Sequence, residues 1–358
     1  MKAAVLYEFN KPLVVEELNI DPPKKGEVTV RLAATAICHS DIHFMAGELG
    51  GKPPVVAGHE CAGYVDKVGE GVTAVKPGDP VVVSLLRSCG QCLFCKTGRT
   101  NLCEARWPLD MEVRLHNKKG EDVARGLWVA GFAEYAVVNQ SQAVKLPADM
   151  PLDRAALLAC GVITGFGAVV NRAKVRPNSS VVIIGVGGVG LNAVQGAAIS
   201  GAYPIIAVDT LDNKLKSAMT FGATHTVNSA KEKDPIQAVR DFTSGRGADY
   251  VFVTVGVTAA VRQGLSMAGK QGMTVVVGLA GEPLSASPME FIDGEKVLTG
   301  SFMGTTNLSI DIPKLVSLYQ AKKLKLDELI TARYPLAQIN EAIEAVKKGQ
   351  ALRNIITF

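Results

Sequence analysis

At 358 residues the chain is longer than a single hydrophobic core usually serves, so two domains are expected. Its 47% hydrophobic and 20% charged content, with 36 glycines, describes a globular protein rich in tight turns and excludes a disordered or fibrous one. A net charge of +4, with lysines and arginines scattered along the chain, is too weak to argue for nucleic acid.

The first residues carry a short apolar run broken by Glu8, Asn10 and Lys11, with no small-residue cleavage site, so no signal peptide is expected. No uninterrupted apolar run approaches the roughly 18–20 residues that a membrane helix needs. The most apolar stretch, residues 181–198, is full of glycine and carries Asn192 and Gln195. A cytoplasmic protein without a membrane partner is the expectation, and its seven cysteines then meet a reducing compartment that disfavours disulfides.

Up to about residue 150 the chain reads as short β-branched runs punctuated by Gly and Pro, at residues 3–7, 28–34, 62–68, 80–84 and 133–138. Residues 104–131 break this pattern with Pro108, Asn117, Lys118, Lys119 and Gly120, and are expected to form a long surface loop. After Pro151, strands at 181–184, 204–208, 250–253 and 273–277 alternate with helical stretches starting at Gly188, Leu211 and Ala259, which implies βαβ units on a parallel sheet. The tail has helical periodicity over 312–320 and 336–348 and a β-like end at 354–357.

The strand ending at Ile184 runs into Gly185, Val186, Gly187, Gly188, Val189 and Gly190, and then into a helical run. A GxGxxG turn between strand and helix is what pyrophosphate binding requires: a tight turn, backbone approach to the phosphates, and a helix N-terminus with free N–H donors. Asp209 lies 19 residues after Gly190 at the end of the next strand, where a carboxylate accepts hydrogen bonds from ribose hydroxyls and repels the extra phosphate of NADP. NAD is therefore favoured, with Lys214 softening the repulsion.

Cys89, Cys92, Cys95 and Cys103 follow the spacing CxxCxxCx7C within a loop rich in Gly, Lys and Arg. Four clustered thiolates can close a tetrahedral shell around zinc, leaving no open position, so this site is expected to be structural. Cys38 opens CHSDIH, His59 lies in GHEC and Cys160 opens CGVITGFGA, but spacing alone does not connect them to one another or to Cys61, His116 and His225. Taken singly, a buried cysteine is more often packed than ligating. Cys61 reads as core, and His116 and His225 as exposed or turn positions.

Taken together, CHSDIH, GHE, the four-cysteine lobe, ACGVITGFGAV, IIGVGGVG, Asp209 and the closing LRNIITF resemble the zinc-containing alcohol dehydrogenases of the medium-chain dehydrogenase family over nearly the whole chain. The resemblance implies an α/β protein: a GroES-like, mostly β catalytic domain over residues 1–161, to which 304–358 return, and a Rossmann doubly wound parallel-sheet domain over 162–303. The long 104–131 segment is nearer the dimeric liver-type members than the compact tetrameric ones, and a homodimer or homotetramer is implied.

The resemblance also implies two zinc ions per chain and a reversible hydride transfer between NAD and a small-molecule alcohol or aldehyde. Cys38, His59 and Cys160 would hold the catalytic zinc, a ligand set supplied by the family and not by the spacing. Two thiolates and a neutral imidazole give a neutral metal centre, which acidifies an alcohol without holding its conjugate base too tightly. Ser40 and His43 match the proton relay, Asp41 matches the partner of the second His59 nitrogen, and Glu60 lies near the metal.

His39 and Arg353 match positions against the coenzyme pyrophosphate, and Thr164 a nicotinamide contact. A histidine at 39 implies coenzyme affinity that strengthens as the imidazole protonates. The matching pocket positions, Leu49, Leu85, Leu279 and Phe302, are all apolar, which points to a nonpolar primary or secondary alcohol, with Met303 and Trp107 able to narrow the pocket. Relatives that oxidise the glutathione adduct of formaldehyde tend to carry an acid where Leu49 stands. Three other readings fit less well: a polyol dehydrogenase usually has a carboxylate at the Cys160 position, a non-catalytic zinc-stabilised NAD-binding protein needs a disabled ligand set, and a zinc-free quinone reductase lacks both cysteine clusters.

Overall fold

The strand Glu27–Ala36 organises the first of two units, which comprises Met1–Cys160 and Asn307–Phe358. The structure, a computed structural model, describes all 358 residues. Buried at all positions but Arg31 and Ala33, Glu27–Ala36 pairs antiparallel with Glu60–Val68 on one side. On the other, Tyr135–Asn139 pairs with its first half and Arg353–Thr357 with its last residues. Pro80–Val83 and Ala143–Lys145 extend the sheet beyond Glu60–Val68, and Ile330–Pro335 closes the far side against Arg353–Thr357. The β-like end of the chain thus lies near the middle of a sheet begun some three hundred residues earlier, because Ile355, Ile356 and Asn354 are fully buried there.

A second sheet of the same unit closes on itself as a barrel of Lys2–Leu6, Val14–Ile20, Leu115–Asn117, Asp122–Arg125 and Val55–Val56. Two of these strands lie where a long surface loop was expected. Residues 104–131 instead hold the helix Pro108–Met111 and the hairpin Leu115–Asn117/Asp122–Arg125, with Leu109, Leu115 and Val123 buried. The polar residues that read as loop form its turn: the Asn117 side chain accepts hydrogen bonds from the Lys119 and Glu121 N–H groups, each at 2.9 Å. Arg114, fully buried, pairs with Glu27 at 2.9 Å and ties the hairpin to the central strand.

His116 and His225 also lie in strands and not in turns. His116 stands between Asp21 and Asp122, and His225 opens the strand His225–Asn228 with its ring 4.3 Å from that of Phe242. The expectation of no long apolar segment is corrected too. One helical stretch, Leu152–Ala173, is 22 residues long and apolar enough by length and composition to cross a membrane. Of that apolar window 78% is buried inside the protein, the signature of a core helix.

The second unit, Gly161–Thr306, is a six-stranded parallel sheet in the order His225–Asn228, Ile205–Asp209, Val181–Ile184, Ala248–Val253, Ala268–Val276, Val297–Gly300. Helices Gly188–Ile199, Asp212–Phe221, Pro235–Phe242 and Thr258–Met267 connect the strands. The chain enters at Val181–Ile184, steps outward in one direction, and then returns to continue on the other side, so the turn after Ile184 lies at the point of reversal. The sequence placed the boundaries after residues 161 and 303. Here they fall after Cys160 and Thr306, since the Gly304 carbonyl accepts from Asn171 Nδ2 at 3.3 Å and the Thr306 hydroxyl donates to the Ile163 carbonyl at 3.4 Å.

Candidate active site

Strand register assembles the buried cluster of the first unit. Ala36 pairs with Glu60 on one side and Ile355 on the other, so the segments ending at Cys38, beginning at His59 and carrying Arg353 are adjacent. The fourth segment is pinned by the Ser84 hydroxyl, which donates to the Ala159 carbonyl at 2.6 Å and sets Cys160 over the end of Pro80–Val83. The ligand atoms of Cys38, His59, Glu60 and Cys160 lie within 4.8 Å of one another, all buried. A tetrahedral zinc with bonds of about 2.0–2.3 Å separates its ligand atoms by roughly 3.5–3.8 Å, so the donor set fits.

The His59 imidazole is fixed from behind. Its Nδ1 lies 2.9 Å from Asp41 Oδ1, so Nδ1 donates to the carboxylate and Nε2 is the nitrogen left to face a metal; Nε2 is fully buried with no hydrogen-bond partner. Asp41, itself fully buried, also accepts from the Cys38 N–H at 2.9 Å and the Gly58 N–H at 3.1 Å. Burial alone pulls the imidazole down, but the charge and hydrogen bond of Asp41 outweigh it and hold His59 well above its ordinary value. The hydrogen bond between the two thiols lowers Cys38 well below the usual thiol range and raises Cys160 well above it.

Glu60 and Arg353 form a buried ion pair beside these thiols, Arg353 being 5% exposed. Burial pushes the Glu60 carboxyl up to about 8 against the pull of Arg353, and its Oε1 has no hydrogen-bond partner. The pairing went unforeseen from sequence, where Arg353 was expected against a pyrophosphate. The signal is an arginine facing a carboxylate across a strand that lies between them, legible only once the register is known. Cys61, expected in the core, is buried there, its thiol pushed up to about 12 by desolvation.

The helix His39–Met45 follows Cys38 directly. Ser40 Oγ lies 3.7 Å from Cys38 Sγ, and His43 follows one turn later, three residues on and so on the same side of the helix as Ser40. His39 is exposed at the start of that helix. Of the expected pocket residues of this unit, Leu85 is buried after Pro80–Val83 and Leu49 is exposed beyond the helix.

The second cysteine cluster is built locally. Cys89, Cys92, Cys95 and Cys103 bring their sulfurs within 4.8 Å of one another. Backbone N–H groups point at these sulfurs: Cys92 N and Gln91 N at Cys89 Sγ, 3.3 and 3.4 Å, Cys95 N at Cys92 Sγ, 3.5 Å, and Cys89 N at Cys103 Sγ, 3.3 Å. Hydrogen bonds from the Glu104 and Cys95 backbone lower the Cys92 thiol to about 6, and those from Gln91 and Cys92 lower Cys89, whereas burial raises Cys95 to about 12. Amides aimed at sulfur stabilise thiolates, the form a metal binds.

In the second unit the turn after Ile184 has the shape expected for phosphate. Gly185 adopts φ +85°, and a Cβ at Gly190 would lie 1.9 Å from the Gly185 carbonyl oxygen, so neither tolerates a side chain. At Gly187 a Cβ would meet nothing within 4 Å; the space is open just ahead of the first turn of Gly188–Ile199, which includes Gly188 and Val189. Asp209 is held at its strand end by N–H groups of Val186, 2.9 Å, and Leu211, 3.0 Å. Burial lowers the Lys214 amine against the pull of nearby Asp209. The Thr164 hydroxyl lies 3.7 Å from Met303 Sδ. Leu279 and Phe302, 52% and 51% exposed, follow the carboxyl ends of two paired strands, Ala268–Val276 and Val297–Gly300, the end of a parallel sheet where ligands bind.

A buried thiol–imidazole–carboxylate cluster in one unit and a phosphate turn in the other define a metal- and nucleotide-dependent oxidoreductase. Residues 24–148 match the alcohol dehydrogenase GroES-like domain and residues 188–321 the zinc-binding dehydrogenase domain. The chain belongs to the zinc-containing alcohol dehydrogenases of the medium-chain dehydrogenase family and is a zinc-dependent alcohol dehydrogenase. It is 40% identical to the NDMA-dependent alcohol dehydrogenase of Amycolatopsis methanolica over 99% of this chain and 98% of that one. Among solved structures it is similar to an alcohol dehydrogenase zinc-binding domain protein from Burkholderia ambifaria, with a TM-score of 0.95, 34% identity and coverage of 100% and 98%. It is also similar to benzyl alcohol dehydrogenase from Acinetobacter calcoaceticus, with a TM-score of 0.92, 32% identity and coverage of 100% and 99%.

Proposed function

We propose that this alcohol dehydrogenase binds two zinc ions, takes NAD in preference to NADP, and acts on nonpolar primary or secondary alcohols and their carbonyl products. Cys38, His59 and Cys160 hold the catalytic ion and Cys89, Cys92, Cys95 and Cys103 the structural one. The observation that carries this assignment is the buried, unpartnered His59 Nε2 within 4.8 Å of two thiols, a polar atom that would be costly to bury for any purpose but ligation. When bound, zinc supplies a Lewis acid that lowers the proton affinity of an alcohol oxygen, and the nicotinamide accepts the hydride.

The side chains do the rest. Asp41 fixes the His59 tautomer and ring, Ser40 and His43 carry the alcohol proton outward, and Arg353 offsets the Glu60 charge next to the thiolates. The open face at Gly187 receives the pyrophosphate, and the Asp209 carboxylate takes the ribose hydroxyls. Lys214 tempers the charge of Asp209, and Thr164 takes its place beside the nicotinamide. Leu49 and Leu85 of the first unit, and Leu279 and Phe302 of the second, are all apolar, consistent with the aromatic alcohol in the name of the Acinetobacter relative. A homodimer or homotetramer is supported by exposed Met289 and Ile292 just before the outermost strand Val297–Gly300, an apolar edge that a second copy would cover. A reducing cytoplasm would keep the six ligand cysteines free for metal.

Metal analysis of the purified protein, combined with a panel of aromatic, aliphatic and polyol substrates run with NAD and NADP in parallel, tests these assignments. About two zinc ions per chain and faster NAD-linked turnover of nonpolar alcohols are expected; a preference for polyols or for NADP would overturn the substrate or coenzyme assignment.

A further inference from the structure

We propose that Glu48 is a positioning residue for proton transfer, holding the His43 ring in the one tautomer and orientation that can accept a proton from the side of Ser40. The inference rests on His43 as the proton carrier proposed above. Its observation is the pairing of Glu48 Oε2 with His43 Nδ1 at 2.5 Å, with the Glu48 backbone N–H donating to the His43 carbonyl at 3.0 Å. Two contacts between residues five apart fold the end of helix His39–Met45 back on itself, so the carboxylate meets the ring by local geometry.

The chemistry follows from which nitrogen is taken. A carboxylate at Nδ1 accepts a hydrogen bond, so the ring proton sits on Nδ1 and Nε2 is left as the basic nitrogen. Ser40 is one helical turn before His43 and 3.7 Å from a sulfur of the metal cluster, so it stands on the side from which the alcohol proton must come. The proton taken up at Nε2 makes the ring cationic; the Glu48 carboxylate balances that charge without leaving its place. The same proton then passes from Nε2 to bulk water or buffer, and the pair returns to a neutral ring and an ionised carboxylate.

A purely structural purpose accounts poorly for this pair. The His43 and Glu48 side chains are 36% and 60% exposed, and exposed ion pairs contribute little to folding. That same exposure is what a group delivering protons to solvent requires.

The test uses the zinc-loaded, full-length enzyme and compares the single-turnover rate of alcohol oxidation with steady-state kcat and KM, over increasing HEPES at fixed pH and ionic strength. Glu48→Ala is expected to slow the oxidation step roughly tenfold. It should leave the KM for alcohol within about twofold, and recover part of the loss as buffer rises, because a diffusible base then replaces the mispositioned ring. Glu48→Gln keeps an acceptor for Nδ1–H and should lose less than Glu48→Ala; it also reports on the role if the alanine variant folds poorly. An unchanged rate in both variants, or a loss that buffer does not restore, overturns the inference. His43→Ala separates the two levels. If it is slowed and buffer-rescued while both Glu48 variants match the parent, only the Glu48 role fails; if it is neither slowed nor buffer-responsive, the proton carrier of the proposed mechanism fails and the Glu48 role with it.

Discussion

The two cysteine clusters use the same donor atom for opposite ends. Cys89, Cys92, Cys95 and Cys103 lie within one short, partly exposed loop, and their sulfurs are oriented by N–H groups of their own segment. Cys38, His59 and Cys160 come from three distant segments, are wholly buried, and depend on sheet register and on an acid behind the imidazole. A local cluster can fill its coordination shell with its own thiols and brace a loop. A non-local cluster is shaped by the fold around it, which can leave one coordination position free for chemistry.

That contrast can be broken most sharply at His59. Replacing His59 with alanine should abolish turnover, by at least about a thousandfold, and reduce bound zinc from about two ions to one, while the melting temperature changes little. Activity assays, metal analysis and thermal denaturation check all three, and loss of both ions together would erase the distinction between the clusters.

Cys92→Ser should do the reverse. One zinc is lost, the melting temperature falls by on the order of 10 °C, and the remaining activity at low temperature stays measurable. An unchanged melting temperature would remove the structural role of the loop.

Asp41→Ala sharpens the comparison from within the non-local site. With the ring of His59 unheld, zinc affinity there should fall about 10–100-fold, read by competition with a chelator, and the loop cluster should keep its ion. Equal loss at both sites would mean the clusters are coupled.

The smallest effect tests the frame that carries the non-local ligands. Asp153 precedes Cys160 on the same helical stretch and bonds Arg154 and Arg333, at 2.8 and 2.7 Å. Burial alone would raise its carboxyl; the hydrogen bonds and charges of the two arginines outweigh this and hold it below the usual range. The folded state therefore favours the ionised form, so its contribution to stability is complete above about pH 4 and is lost as pH falls through the depressed folded value. Asp153→Asn should lower the melting temperature by about 3–6 °C at pH 7 and by progressively less below pH 4. A difference that stays constant with pH would show that the arginines do not act through the charge.

Legibility from sequence follows the same division between local and non-local. The glycine turn, Asp209 and the four-cysteine loop are contiguous or regularly spaced, and the amides and φ angles that matter there belong to neighbouring residues. Residues 104–131 were misjudged because strands of three and four residues show too little alternation to betray a period, and the asparagine that closes their turn reads equally well as loop. The Glu60–Arg353 pair was hidden for another reason: 293 residues separate its partners, and only the strand between them makes them neighbours.

The amino-acid order by itself thus determined the alternation of strand and helix in the second unit, the nucleotide turn and the thiol loop, all properties of backbone conformation within a few residues. The tertiary structure alone decided that Cys38, His59 and Cys160 converge, that Asp41 holds the imidazole, and that Glu60 is paired with Arg353 of the last strand of the chain. Those outcomes depend on which strands pair and in what register, and a one-residue slip of Glu27–Ala36 against Glu60–Val68 would take the segments carrying Cys38 and His59 out of step with each other.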